Sequence, residues 1–273
     1  MQRILTATVL ILAVAALLWF GNHYPWLLLL AGSLVALLAG FEYTSLVNLS
    51  GAKIPYWWTG IAILTFFAAT FFRPDLQLPV LTLLAFSLFV ISLFAEPTAR
   101  VLKDAAAGAF GLLYIAWPLS LLYLLAAQST GLLIFLFVCV WSGDIAALYI
   151  GRSIGGKKLA PSISPGKTWS GSIASVVASV LLGLLLTWFG QWLAARGQSI
   201  LDVGLSLLQV PLFAALINVA AQIGDLLESA IKRGAGVKDS GNLLPGHGGI
   251  LDRIDALLFA APVLYYALLL QSF

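Results

Sequence analysis

Residues 131–151 read GLLIFLFVCVWSGDIAALYIG, an unbroken apolar run holding one acid, Asp144, in its second half. A helix crosses the roughly 30 Å hydrocarbon layer in about 20 residues, so the run has the length of one crossing. It does not alternate, as a half-buried strand would, and a helix satisfies its own backbone hydrogen bonds in lipid. Working outward, similar runs recur at roughly 4–20, 26–47, 56–72, 77–95, 105–127, 169–189, 207–231 and 250–270. Soluble domains carry about 25% charged residues. This chain of 273 residues carries 9%, with 61% hydrophobic residues and a mean hydropathy of +1.02. The expectation is an all-α, polytopic membrane protein with about nine transmembrane helices, forming a single membrane domain over 1–273. Within it, 1–127 supplies helices without a motif, and 128–273 supplies the chemistry.

The breaks between runs hold turn residues, such as Arg73-Pro74-Asp75 and Gln128-Ser129-Thr130. Trp26, Trp57, Trp58 and Trp188 lie near span ends, where amphipathic rings favour the membrane interface. Pro118, Pro211 and Pro262 fall inside runs and are expected to kink them. Arg3 followed by residues 4–20 has the outline of a signal peptide but no small-residue cleavage site, so a retained first span is expected. A single cysteine, Cys139, excludes an intrachain disulfide and CxxC metal sites.

The basic residues give the orientation. With a cytoplasmic N-terminus and nine alternating spans, all of the 14 Lys and Arg residues except Arg73 and Arg196 face the cytoplasm. The C-terminus then lies outside. Two cytoplasmic loops, about 152–168 and 232–249, concentrate bases and glycines beside acid-bearing helices.

Asp225 and Glu228 sit late in the eighth run, Asp252 and Asp255 at the start of the ninth, and Asp144 in the sixth. A carboxylate at mid-helix costs about 2.5–3.5 kcal/mol on insertion scales, so acids there tend to face the protein interior and mark function. The pairs 252/255 and 225/229 each share a helix face. If the last two helices are antiparallel neighbours, Asp225, Asp252 and Asp255 converge near the cytoplasmic interface. Converging carboxylates need a cation. Hard oxygen donors without a His/Cys cluster point to Mg²⁺, with substrate phosphates completing its shell. Ser164-Pro165-Gly166-Lys167-Thr168 and Pro245-Gly246-His247-Gly248-Gly249 each precede a helix, where exposed N–H groups attract phosphate and glycine permits close approach. Lys167, Lys232, Arg233, Lys238 and Arg253 could neutralise a triphosphate. No P-loop is present, since Pro161 stands where its first glycine would be and no strand is expected before it.

Plainer readings exist. Lys53, Arg100 and Lys103 read as topology signals, Asp252 and Asp255 also suit a helix N-terminus, and Glu42, late in the second run, reads as a snorkelling side chain without a role in the site.

The run Ser229-Ala230-Ile231-Lys232-Arg233, then Lys238-Asp239, then Pro245-Gly246-His247-Gly248-Gly249-Ile250-Leu251-Asp252-Arg253-Ile254-Asp255 resembles the signature of the phosphatidate cytidylyltransferase (CDP-diacylglycerol synthase) family. Asp144 with Tyr149-Ile150-Gly151-Arg152, and Ser164 to Thr168, resemble that family's upstream block. The motifs cover about 130–258, and the earlier half is similar only in hydropathy and span number. One position departs: Ser170 stands where the family usually has glutamate.

The resemblance implies an Mg²⁺-dependent enzyme of the bacterial inner membrane. It would take CTP and phosphatidate to CDP-diacylglycerol and pyrophosphate, working at the cytoplasmic face as a homodimer among membrane lipids, with no nucleic-acid partner. By position it implies Asp225, Asp252 and Asp255 as metal ligands, with a second cation such as K⁺ beside the Mg²⁺. Lys167, Lys232 and Arg233 would join them in catalysis. Asp144, Arg152, Ser164, Lys167, Ser229, Lys238, Asp239, His247, Gly248, Gly249 and Arg253 would bind substrate. Competing classes are a CTP-dependent lipid kinase, a cytidylyltransferase for another lipid phosphate, and, more distantly, an ion-coupled transporter.

Overall fold

A computed structural model describes residues 2–21, 23–94, 98–243 and 248–271, with the side chains of residues 2–11 left undescribed. His247, with Pro245 and Gly246 of the same motif, lies outside the described residues.

The apolar runs become helices: α1 Gln2–Gly21, α2 Pro25–Leu49, α3 Tyr56–Phe72, α4 Gln77–Leu93, α5 Val101–Gly111, α6 Trp117–Gln128, α7 Thr130–Ile154, α8 Trp169–Ala194, α9 Val210–Gly234 and α10 Leu251–Gln271. A π turn, Leu112–Ala116, joins α5 to α6, so the stretch Thr98–Gln128 makes one long apolar rod and the rods match the nine runs. Seven of these helical stretches are long and apolar enough to cross a membrane, and Leu12–Gly21 and Tyr56–Phe72 are shorter apolar helices. Outward-facing Leu83 and Phe86 on α4 and Leu181 and Leu185 on α8 are exposed, as a lipid-bathed surface requires.

Three local expectations change. Residues 158–168 are not all loop: Lys158–Ala160 (β1) and Ser164–Thr168 (β2) pair as a short antiparallel hairpin. Trp58 is buried, donating from Nε1 to Ser87 Oγ at 2.9 Å, whereas Trp26, Trp57 and Trp188 are exposed. Pro211 is the second residue of α9, where its missing N–H costs nothing, rather than an internal break. Pro118 is the second residue of α6, separated by Trp117 from the π turn, whose altered hydrogen bonding accommodates a residue without an N–H. Pro262 does lie inside α10.

The chain divides into two compact units. The first comprises Met1–Tyr123 and Ile231–Ile254. Its core gathers Leu46, Phe66, Phe67, Leu88 and Ile115. Polar ties cross between its helices: Tyr43 Oη donates to Ala107 O at 2.8 Å, Thr44 and Thr59 hydroxyls meet at 2.9 Å, and Lys53 N donates to Asp104 Oδ1 at 2.8 Å.

The second unit comprises Leu124–Ala230 and Asp255–Phe273. There α7 packs along α8, whose buried face carries Gly171, Ser175, Ser179, Gly183, Thr187 and Gly190 at nearly four-residue intervals. Small residues let membrane helices approach closely. A polar ladder pins this packing. Asn218 Nδ2 on α9 donates to Ser175 Oγ (2.9 Å) and Ser179 Oγ (2.7 Å), and Ser179 Oγ donates in turn to Cys139 O. Each amide hydrogen thereby has its own acceptor. Cys139 is buried in this core.

Candidate active site

In the second unit, α9 and α10 approach so closely at Gly224 that a Cβ there would stand 2.6 Å from the Asp255 carbonyl oxygen. The next residue along α9 is Asp225. Lys167, on β2, reaches Asp225 Oδ2 at 2.6 Å, and Ser229 Oγ lies 3.5 Å from Asp225 Oδ1, one helical turn away as the spacing predicts. Asp144, from α7, lies within electrostatic reach of both Asp225 and Lys167. Asp255 Oδ1 accepts from Ala256 N at 2.8 Å. Lys167, Asp225 and Ser229, from β2 and α9, are therefore in contact here, with Asp144 of α7 near enough to feel the charge of the first two.

The hairpin that carries Lys167 is itself tied down. Thr168 caps α8, accepting from Gly171 N at 3.2 Å, and Ser170 Oγ donates to Gly155 O at 2.5 Å. Ser170 thus supplies a proton to a carbonyl, which an ionised glutamate could not do. Ser164 begins β2, paired in register with Ala160, and Arg152 is exposed near the end of α7.

In the first unit, Asp252 opens α10 and is held on every side. Lys232 Nζ meets Oδ1 at 2.5 Å, while Oδ2 accepts from Gly249 N (2.8 Å), Ser240 N (3.0 Å) and Ser240 Oγ (3.0 Å). Gly248 has φ +77°, and a Cβ there would lie 2.6 Å from Asp252 Oδ2, so both conformation and space demand glycine. Asp252 lies in the first turn of α10, and its carboxylate takes the N–H of Gly249, just before the helix, together with the lysine and the serine. Arg233 is exposed and donates to Val237 O at 3.1 Å. Lys238, Asp239 and Arg253 are also exposed.

Sequence reasoning missed two residues of this cluster, Ser240 and Glu42. Glu42 does not snorkel. It is 7% exposed, and its carboxylate accepts from Ser240 Oγ (2.8 Å), Ile250 N (3.0 Å) and Leu251 N (2.9 Å). The signal was available, since an acid inside an apolar helix is by default a candidate for function.

Carboxylate oxygens are the hard donors that Mg²⁺ prefers, and on Asp225 and Asp252 a lysine ammonium now occupies the place a cation would take. Among the described residues, no group of three or more His, Cys, Asp or Glu side chains is gathered to hold a metal ion. Mg²⁺ commonly takes one or two carboxylates and leaves the remainder of its shell to water and phosphate, so one of these aspartates would be a sufficient beginning.

The model of the cytidylyltransferase family matches residues 1–271, and the chain belongs to that family. It is 48% identical over 160 residues to the phosphatidate cytidylyltransferase of Brucella suis biovar 1 (strain 1330), a match covering 59% of this chain and 55% of that protein. With the Staphylococcus haemolyticus (strain JCSC1435) phosphatidate cytidylyltransferase it shares 31% identity over 267 residues, 96% of each chain. With the uncharacterized protein YnbB of Escherichia coli (strain K12) it shares 34% over 250 residues, 88% of this chain and 78% of that one. The chain thus spans about half the length of the Brucella relatives it matches.

Proposed function

We propose that this chain joins CTP to phosphatidate, forming CDP-diacylglycerol and pyrophosphate. The observation that carries the reading is the pairing of acid and lysine in both motif blocks, Asp225 with Lys167 and Asp252 with Lys232, beside glycine-lined helix starts. Membership of the cytidylyltransferase family, and the names of the Brucella and Staphylococcus relatives, support it.

The phosphatidate phosphate is the nucleophile. One of its oxygens bonds to the α-phosphorus of CTP, the bond from that phosphorus to the bridging β-phosphate oxygen breaks, and pyrophosphate carries the electron pair away. No side chain need act as base, because a phosphomonoester has a second pKa of about 6 and is ionised near pH 7. The protein's task is to bring two anions together and neutralise them. Lys167 and Lys232, aimed by their aspartates, with Arg233, Lys238 and Arg253, would offset the triphosphate and lipid phosphate charge. The N–H groups around Gly248 and Gly249, with Asp144, Arg152, Ser164, Ser229, Asp239 and His247, would place the substrates. Asp225, Asp252 and Asp255 are the candidate carboxylates for Mg²⁺, which would rest on one or two of them and take the rest of its shell from phosphate and water, with a second cation such as K⁺ beside it. Bound there, Mg²⁺ would withdraw charge from the phosphate oxygens.

On this reading the enzyme lies in the bacterial inner membrane as a homodimer, with its N-terminus and site cytoplasmic and its C-terminus outside. Arg73 and Arg196, the two bases on the far side, are moderated locally: Arg73 pairs with Asp75 at 2.8 Å, and Arg196 stacks 3.6 Å above the Trp192 ring.

The test is incubation of purified protein with Mg²⁺, labelled CTP and phosphatidate, followed by separation of lipid and water-soluble products. CDP-diacylglycerol with stoichiometric pyrophosphate is the expected result. Release of CDP with a phosphorylated lipid would make the chain a lipid kinase instead.

A further inference from the structure

Glu42 belongs to none of the motifs that carry the proposed activity, yet it makes the longest-range hydrogen bonds described in the first unit, to residues 198, 208 and 209 positions away. Burying a carboxylate is costly unless its oxygens are satisfied. Here Oε1 takes the Ile250 N–H and Oε2 takes the Leu251 N–H, two groups at the start of α10 that have no partner within the helix. The N-terminus of a helix also favours negative charge.

The Ser240 hydroxyl links this carboxylate to another. Ser240 Oγ stands 2.8 Å from Glu42 Oε2 and 3.0 Å from Asp252 Oδ2. A hydroxyl has one proton to donate, so it serves one carboxylate at a time. Ser240 N holds Asp252 Oδ2 whichever way the hydroxyl turns. Two glycines are fitted to the same group. A Cβ at Gly241 would lie 2.5 Å from Glu42 Oε1, and one at Gly249 would collide with Glu42 Oε2 and Ser240 Oγ. The glycines of this turn therefore answer to the Glu42 carboxylate as well as to any phosphate.

We propose that Glu42, through Ser240 and the first N–H groups of α10, is a positioning residue that holds the Asp252 turn in the geometry that receives a divalent cation. The inference rests on the reading of Asp252 as a cation ligand. Groups that orient a metal's ligands typically change metal affinity or activity by about 10–100-fold when altered.

The experiment uses full-length protein carrying Glu42→Gln or Ser240→Ala, each beside Asp252→Asn. Two quantities are read: the Mg²⁺ concentration giving half-maximal turnover, and amide hydrogen exchange in the peptide spanning residues 249–256, followed without CTP as Mg²⁺ is added. Glu42→Gln is expected to speed exchange at Ile250 and Leu251 and to raise the Mg²⁺ midpoint by about 10–100-fold, with turnover recovering at saturating Mg²⁺. Ser240→Ala is expected to raise the midpoint in the same direction while leaving exchange at 250 and 251 unchanged. Should Glu42→Gln fail to accumulate, Ser240→Ala decides by itself. A purely structural cap predicts faster exchange with unaltered Mg²⁺ midpoints, and that result overturns the proposal. If Asp252→Asn abolishes turnover while the other two variants keep the wild-type midpoint, the positioning role alone falls. If Asp252→Asn keeps its turnover, the ligand assignment beneath it falls.

Discussion

The two acid–lysine pairs invite comparison. In the second unit, Lys167 and Asp225 side chains are 25% and 37% exposed, and among the described residues the one hydrogen bond of Asp225 besides its lysine is a long contact to Ser229. In the first unit, Lys232 and Asp252 are 12% and 7% exposed, and Asp252 is gripped by three further donors. The same two residue types thus make one accessible pair and one fixed pair. A held carboxylate is pre-organised to receive a ligand, whereas a more open one can change partners as substrate enters.

The comparison breaks most readily at Asp252. Asp252→Asn should lower turnover by more than the roughly 100-fold upper range for groups that merely support a metal ligand, with membrane insertion and yield retained. Near-normal activity would remove Asp252 from the chemistry. Next comes stability. Lys232→Met strands a buried carboxylate and should cost up to about 3–5 kcal/mol, whereas Lys167→Met at the open pair should cost no more than about 1 kcal/mol. Unfolding of the two variants in one detergent would compare them directly, and equal losses would erase the distinction. Gly248→Ala forces a side chain onto a residue at φ +77° facing Asp252 Oδ2 and should destabilise by about 1–2 kcal/mol from the backbone alone. Its activity should fall further than Gly166→Ala on the hairpin, where a Cβ meets nothing within 4 Å. A comparably small effect belongs to Ser170→Glu, which removes the donor to Gly155 O and should cost about 0.5–1.5 kcal/mol. A gain in stability there would mean that the hydroxyl is not what anchors the Lys167 hairpin.

Residues 131–151 show what could be read in advance. A long apolar run has few alternatives to a helix, so the rods were legible from hydropathy alone. The hairpin was not, because Ser-Pro-Gly-Lys-Thr carries neither alternation nor strand propensity and pairs only through its connection to residues 158–160. Asp225 and Ser229 were legible because their contact is set by one helical turn. Glu42 was legible as an acid inside an apolar helix, but its partners, about 200 positions further along, were not, and Ser240 carries no local signal. Trp58 was misplaced for a related reason: proximity to a span end gives depth but not which way the ring turns, and Ser87 on another helix settles that.

The wide separation between Glu42 and its donors also bears on how the chain is made. Residues 231–254 complete a unit whose other members are all within the first 123 residues. At about 5–20 residues per second of synthesis, the ribosome needs about 10–40 s to travel the 208 positions from Glu42 to Ile250. Throughout that interval a carboxylate has already been threaded into the bilayer ahead of the amides destined for it. A truncated product ending before residue 240 would retain the acid and lack all three of its donors.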